Sequence, residues 1–331
     1  MKALVYTGPN SLTFRDEPDP EPGNDDVIVK VEAVGICGSD MHAYHGHDSR
    51  RPAPLILGHE AAGTITTGPG AGRRVTVNPL VTCGSCPFCL DGRSHLCGAR
   101  QILSMMPRPG AFAELVRVPE ANVVEIPDRL SVVTAALTEP IAVSYHAVNK
   151  GLGMMARPAS SVRAAVIGGG AIGLGAALVL AMSGTADIAV VEPNAARRRT
   201  VEKAGPFRAF APGDASGPAD NSVDLVLDAV GADATRAHAC RIVKAGGGIV
   251  HIGLLPGSGG IDIRRITLQE ITLVGTYCYT MVDFRETVAA IAAGRLGALD
   301  WLEERPLAEG AGAFKDIDAG RISAAKVVLR P

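Results

Sequence analysis

The chain has 331 residues, 47% of them hydrophobic, and a formal net charge of -2; that length suits two domains of about 150 residues each. So small a charge gives no electrostatic footing for nucleic acid or for an anionic membrane surface. Seven cysteines, an odd count of which four are clustered, fit metal thiolates in a reducing cytoplasm better than disulfides.

The first six residues, Met1-Lys2-Ala3-Leu4-Val5-Tyr6, read as a strand with no leader pattern ahead of it. Pro18, Pro20, Pro22 and Gly23 mark a turn-rich connection. Val27 to Val34 is a β-rich run that leads into Gly35-Ile36-Cys37-Gly38-Ser39-Asp40-Met41-His42, followed later by Leu57-Gly58-His59-Glu60. A thiol, an imidazole and a carboxylate are the donor types of a catalytic zinc, which keeps one position open for water or substrate. A Cys and a His alone are as often core residues. Here Ser39 and His42 stand beside them and add a proton acceptor and a proton exit. His59 and Glu60 are neighbours, and neighbours on a strand point to opposite faces. Both reach one metal only if the backbone turns, which Gly58 permits.

Short strands and turns continue to about Leu130 and predict a β-rich domain. Within it, Cys83, Cys86, Cys89 and Cys97 form C-x2-C-x2-C-x7-C. Four thiolates in one lobe suit a closed, tetrahedral, structural zinc. The iron–sulfur alternative has a three-residue last gap followed by Pro, which this stretch lacks. Glu139, in Thr138-Glu139-Pro140, is a second carboxylate for the catalytic metal or a solvated surface group.

After Tyr145 the composition shifts to Ala, Gly and Val. Ala164 to Met182 carries no charge and is long enough for a membrane span, yet three consecutive glycines interrupt it. A buried-type strand, Val162 to Ile167, precedes Gly168-Gly169-Gly170-Ala171-Ile172-Gly173. The helical Leu174 to Met182 and a second strand, Ile188 to Val191, follow, and that strand ends at Glu192. In this context the glycines make a tight turn, pyrophosphate sits on the helix N-terminus, and the acid takes the ribose hydroxyls. The predicted cofactor contacts are Gly168, Gly170, Ala171, Ile172, Gly173 and Glu192, with Val230 and Gly253 at later strand ends. Arg197, Arg198 and Arg199 read as a solvated helix face. Further strands at Asp224 to Asp228, Gly248 to Ile252 and Ile271 to Thr276 alternate with helical stretches, the pattern of a parallel sheet. An amphipathic helix follows Asp283, and Lys326 to Leu329 is a last strand.

Cys-Gly-Ser-Asp-x-His, then Gly-His-Glu, the four-cysteine lobe and the dinucleotide fingerprint together resemble the zinc-dependent medium-chain dehydrogenases over nearly the whole chain. The resemblance implies an α/β protein. A doubly wound parallel Rossmann sheet (146–281) would interrupt a discontinuous, GroES-like, β-rich catalytic domain (1–145 and 282–331). It implies two zinc ions per chain, NAD, and a small polyhydroxy substrate in a homo-oligomer. Cys37 and His59 would bind the catalytic zinc, Ser39 the substrate oxygen, and His42 would relay the proton. Glu139 before Pro140 resembles the polyol and sugar branch, as does the segment around Tyr279. On that pattern Glu60 is the first carboxylate ligand and Glu139 an exchanging or water-bridged one. The family's Gly-Asp-Arg-Val reads Gly72-Arg73-Arg74-Val75 here, a departure that leaves the nearby loop unspecified. The rival readings are a threonine-type amino-alcohol dehydrogenase and a quinone reductase or regulatory protein on the same fold.

Overall fold

The run ahead of Cys37 forms the strand Asp26–Gly35, the axis of a seven-stranded sheet in the computed structural model, which describes residues 1–331. On one side it pairs antiparallel with Glu60–Thr67; on the other, Leu115–Pro119 takes its first half and Lys326–Arg330 its end. The C-terminal strand therefore folds back onto the first domain and meets the segment that carries Cys37. Lys2–Gly8 lies in a smaller sheet between Ser11–Asp16 and Leu55–Ile56.

The middle of the chain builds a six-stranded, all-parallel sheet. Its spatial order is Arg208–Phe210, Asp187–Val191, Arg163–Ile167, Val223–Asp228, Val243–His251, Thr272–Gly275. That is the doubly wound order, with its switch point beside the first strand. Side chains alternate along that strand: Ala164 and Val166 join one core, Ala165 and Ile167 the core on the opposite face. The uncharged run thus divides into a strand and the helix Ala171–Met182, and no helix is long and apolar enough to cross a membrane.

The expected boundary at 145/146 falls inside one helix, Thr138–Gly153. Pro140 does not break it because Pro is tolerated in the first turn, where amide donors have no intrahelical acceptor. The helix runs from the β-rich unit onto the parallel sheet. Its buried face shares one core with Ala33 and Ala62 on one side and Leu174, Leu180 and Phe284 on the other. Ser144 donates to the carbonyl of Ile172 at 2.8 Å, seating this helix on the glycine-rich turn.

The second connection is the helix Met281–Ala292, whose N-terminus is a reciprocal capping box between Thr280 and Asp283. Asp283 also accepts from His146 Nδ1 at 2.8 Å, tying the two connecting helices together. Burial alone would raise the Asp283 carboxyl, but His146 and Thr280 outweigh it and hold it at about 2. A depressed carboxylate stabilises the fold above its unfolded pKa near 4, and that contribution is lost as pH falls toward 2. Asp283→Asn should therefore cost roughly 1 to 2 kcal/mol at pH 7, discounted for partial solvent access. Chemical denaturation at pH 7 and pH 3 checks this: the gap between variant and parent should narrow at the lower pH.

Candidate active site

Antiparallel pairing brings the three donors together. Gly35, the last residue of its strand, is the register partner of Glu60, the first residue of the next. Cys37 leaves the end of one strand as Glu60 enters the other, and His59 sits one residue before it. Gly58 has φ +90 and makes the turn that lets His59 and Glu60 face the same point. Ligand atoms of Cys37, His59 and Glu60 all lie within 4.8 Å of one another.

Beyond Cys37 the chain is a short helix, Gly38–Tyr44. Ser39 lies in its first turn, with Oγ 3.4 Å from His59 Nε2. His42 is three residues further and on the same face, half-buried toward solvent. Burial, with His47 adding to it, holds the His42 imidazole below its ordinary value, so at neutral pH the ring is free to accept a proton.

Several residues that sequence reasoning missed support this arrangement. Asp40 is fully buried behind His59, 3.5 Å from Nδ1, and accepts from the amides of Cys37 and Gly58. Ser104 Oγ lies 3.3 Å from the same nitrogen. Together they direct Nδ1 away from the centre and leave Nε2 facing it. Burial would raise the Asp40 carboxyl, but His59 and Arg51 hold it below the usual range. Arg51 is buried and donates to the carbonyls of Ser39 and Ser104 and to Asp48. Lys326 Nζ donates to Glu60 Oε1 at 2.6 Å and to the carbonyl of Ile36 at 2.9 Å. Asp40 stood inside a quoted motif but was given no role there; nothing local marks Arg51 or Lys326.

The donor set fits a metal on a specific observation. Glu60 Oε2 is buried and has no hydrogen-bond partner, a costly arrangement unless an ion takes that position. Glu139, expected as an exchanging or water-bridged ligand, stands outside the cluster of three direct donors. Its carboxylate accepts from the Tyr279 hydroxyl at 2.9 Å instead. Burial drives the Glu139 carboxyl up to about 7, with Glu60 adding to the rise and His59 opposing it. Tyr279, one of the most buried side chains in the protein, both packs in the core and holds Glu139.

The four-cysteine lobe also converges. Cys83, Cys86, Cys89 and Cys97 place their sulfurs within 4.8 Å of one another, and every cysteine is free. Amides of Ser85 and Cys86 point at Cys83 and pull its thiol down to about 6, while at Cys86 the Cys89 amide is outweighed by burial and the neighbouring sulfurs, which push that thiol up to about 11. Upstream, the departure Arg73-Arg74 is accommodated without touching either centre. Arg74 donates to the carbonyls of Pro127, Asp128 and Leu130, and Arg73 faces Glu120 and Glu125.

At the carboxyl end of the parallel sheet, Gly168 has φ +100, and a Cβ on Gly173 would lie 1.8 Å from the Gly168 carbonyl oxygen. Only glycines allow this turn and this approach of helix to strand. Gly170 caps the helix Ala171–Met182, placing Ala171 and Ile172 in its first turn. Glu192 ends the second strand, buried, and accepts from the amides of Gly169 at 2.8 Å and Asn194 at 2.9 Å. Val230 and Gly253 lie at adjacent strand ends, so close that a Cβ on Gly253 would sit 2.1 Å from the Val230 carbonyl carbon. The arginines are not a simple solvated face. Arg198 folds back onto the carbonyls of Glu192 and Pro193, and Arg197 approaches Glu192 with its Nε buried and unpartnered.

A doubly wound nucleotide cradle joined by two helices to the unit that carries a Cys–His–carboxylate centre defines a metal-dependent dehydrogenase. Residues 23–128 match the alcohol dehydrogenase GroES-like domain, and residues 171–293 match the zinc-binding dehydrogenase domain. The chain is 31% identical over 312 residues to L-galactonate-5-dehydrogenase of Escherichia coli K12, covering 90% of this chain and 89% of that protein. It is 33% identical over 297 residues to sorbitol dehydrogenase of Bacillus subtilis 168, covering 84% and 82%. Among solved structures, a zinc-binding dehydrogenase of Sinorhizobium meliloti 1021 bound to NADP superposes with a TM-score of 0.88 at 31% identity, over 100% of this chain and 99% of that one. The chain belongs to the zinc-binding alcohol dehydrogenase family, in the medium-chain branch that includes the polyol dehydrogenases.

Proposed function

We propose that the protein interconverts a secondary alcohol of a polyol, sugar acid or cyclic polyol and the corresponding ketone, with NAD(H) as hydride carrier. The observation that carries this is the three-donor centre, with its unpartnered Glu60 oxygen, linked by the helix Thr138–Gly153 to the glycine-rich turn. Cys37, His59 and Glu60 would hold the catalytic zinc, and the four lobe cysteines the structural one. The catalytic zinc would supply Lewis acidity, lowering the pKa of a substrate hydroxyl presented to it. Ser39 would hold the reacting oxygen and relay its proton, accepting it while giving up its own hydroxyl proton in the direction of His42. His42, one helical turn on, is neutral and open toward solvent, so it passes that proton out. Gly168 to Gly173 seat the pyrophosphate and Glu192 the ribose. The carboxylate repels a 2′-phosphate, which favours NAD over NADP; Arg197 nearby softens the preference.

The test is turnover with a panel of polyols, aldonates, threonine and short alcohols, with NAD and NADP in parallel, alongside metal analysis. Two zinc ions per chain and NAD-linked oxidation of a polyhydroxy compound are expected. Equal efficiency with NADP would overturn the role given to Glu192, and one metal per chain, or iron, would overturn the two-zinc reading. A homo-oligomer also fits: the outer strand Thr272–Gly275 is unpaired on one edge, with Ile263, Leu268 and Leu273 exposed beside it. Light scattering should give a dimer or tetramer.

A further inference from the structure

We infer that Lys326 confines Glu60 to one donor oxygen, and thereby keeps a coordination position at the Cys37–His59–Glu60 centre open for substrate. The inference rests on the reading above that these three residues hold a metal.

Three observations divide the work of the two carboxylate oxygens. Lys326 Nζ binds Oε1 at 2.6 Å, and the lysine side chain is only 4% exposed. Oε2 is buried with no partner. A Cβ on Gly35 would lie 2.0 Å from Oε2, so the missing side chain at position 35 is what makes room for that oxygen. One oxygen is thus held by protein and the other is left for an ion.

The lysine is fixed independently of the carboxylate. Its strand pairs with the end of Asp26–Gly35, with Val328 opposite Gly35, and Gly35 is itself opposite Glu60. A second bond from Nζ reaches the carbonyl of Ile36, the residue before Cys37. Lys326 is therefore a positioning residue that spans two of the three ligand-bearing segments.

Removing the ammonium leaves Oε1 buried and unpartnered, and frees the carboxylate to rotate. Its one strong alternative partner is then the metal. A carboxylate donating both oxygens adds a fifth donor beside the three ligand atoms and the water of the open position, and crowds the place that substrate must take. The positive charge matters too, because Lys326 offsets one of the two anionic ligands and preserves the electrophilicity of the centre.

Cobalt replacement tests this without relying on turnover, because Co(II) absorption reports coordination number: four-coordinate ions absorb several-fold more strongly than five-coordinate ones. Subtracting the spectrum of cobalt-loaded Cys37→Ser from that of the parent isolates the band of the catalytic centre. In Lys326→Met that band should weaken by about twofold or more with cobalt content unchanged, and kcat should fall by roughly 10- to 100-fold. Lys326→Arg, which keeps charge and donor, should restore the band. An unchanged band in Lys326→Met overturns the inference alone. A parent protein that takes up no cobalt beyond the lobe overturns the metal assignment and the inference with it. If Lys326→Met does not fold, the comparison moves to Glu60→Gln, whose amide has a single oxygen and so cannot donate two to the metal whatever the lysine does. Adding Lys326→Met there should leave the band as it is in Glu60→Gln alone, and a further change would overturn the proposal.

Discussion

Replacing Cys37 by serine is expected to leave a folded protein with one zinc ion per chain and to lower kcat/KM by on the order of 10³-fold or more. The thiol lies at the start of a short helix and is half-buried, so its loss removes a ligand without opening a cavity in the core. Backbone contacts at this position do not need the sulfur: the Cys37 amide still donates to Asp40. Cys97→Ser should behave in the opposite way. Cys97 is completely buried, whereas most of the surrounding lobe is exposed and has no apolar core of its own. A lobe without a core depends on its metal for order. That variant should become protease-sensitive within residues 83–97, while the Cys37 centre keeps its zinc. Metal analysis with limited proteolysis separates the two. A Cys37→Ser protein that keeps both ions, or more than about a tenth of its turnover, would remove Cys37 from the catalytic site.

What the sequence disclosed was chemistry concentrated in short segments. Cys37, His59 and Glu60 were legible because three donor types fall within one stretch, and Gly58 could be assigned its turn because adjacent donors demand one. The nucleotide cradle was legible for a similar reason: strand, glycines, helix, strand and acid follow in order within Val162 to Glu192. Lys326 was not legible. It meets Glu60 across 266 positions, and Lys-Val-Val-Leu reads like any outer strand until pairing with Gly35 turns the lysine inward. Arg51 stands in no motif, and its burial is a product of loop packing. Tyr279 was noted as part of a segment resembling the polyol branch, but its hydrogen bond was not legible, because its acceptor Glu139 lies on another element. The helix Thr138–Gly153 was obscured by Pro140 and by the shift toward Ala and Gly. That shift looked like a boundary and is in fact the seam where both units bury the same helix.

Selectivity for polyhydroxy substrates is expected to be of similar size. A polyol or aldonate should exceed ethanol or 2-butanol in kcat/KM by roughly 10⁴, because a site built to hydrogen-bond several hydroxyls leaves its own groups unpaired when they are missing. The residue behind this expectation is Glu139. It is not held by the metal cluster; Tyr279 holds one of its oxygens, and burial brings its carboxyl to about 7. A carboxyl group offers oxygens that accept from substrate hydroxyls, which an apolar or sulfur-lined wall cannot do. Tyr279→Phe removes the donor that orients Glu139 and leaves a buried carboxyl short of a partner, a loss of ~1–3 kcal/mol. Its efficiency with the polyol should fall roughly ten- to a hundredfold. Monohydric alcohols, which make no second contact, should change little, so the ratio between the two classes contracts. Parallel kinetics on sorbitol-like, aldonate and short-alcohol substrates read this directly. If 2-butanol outperforms every polyhydroxy compound, or if Tyr279→Phe lowers both classes equally, Glu139 does not set specificity; threonine ranking first would establish an amino-alcohol dehydrogenase instead.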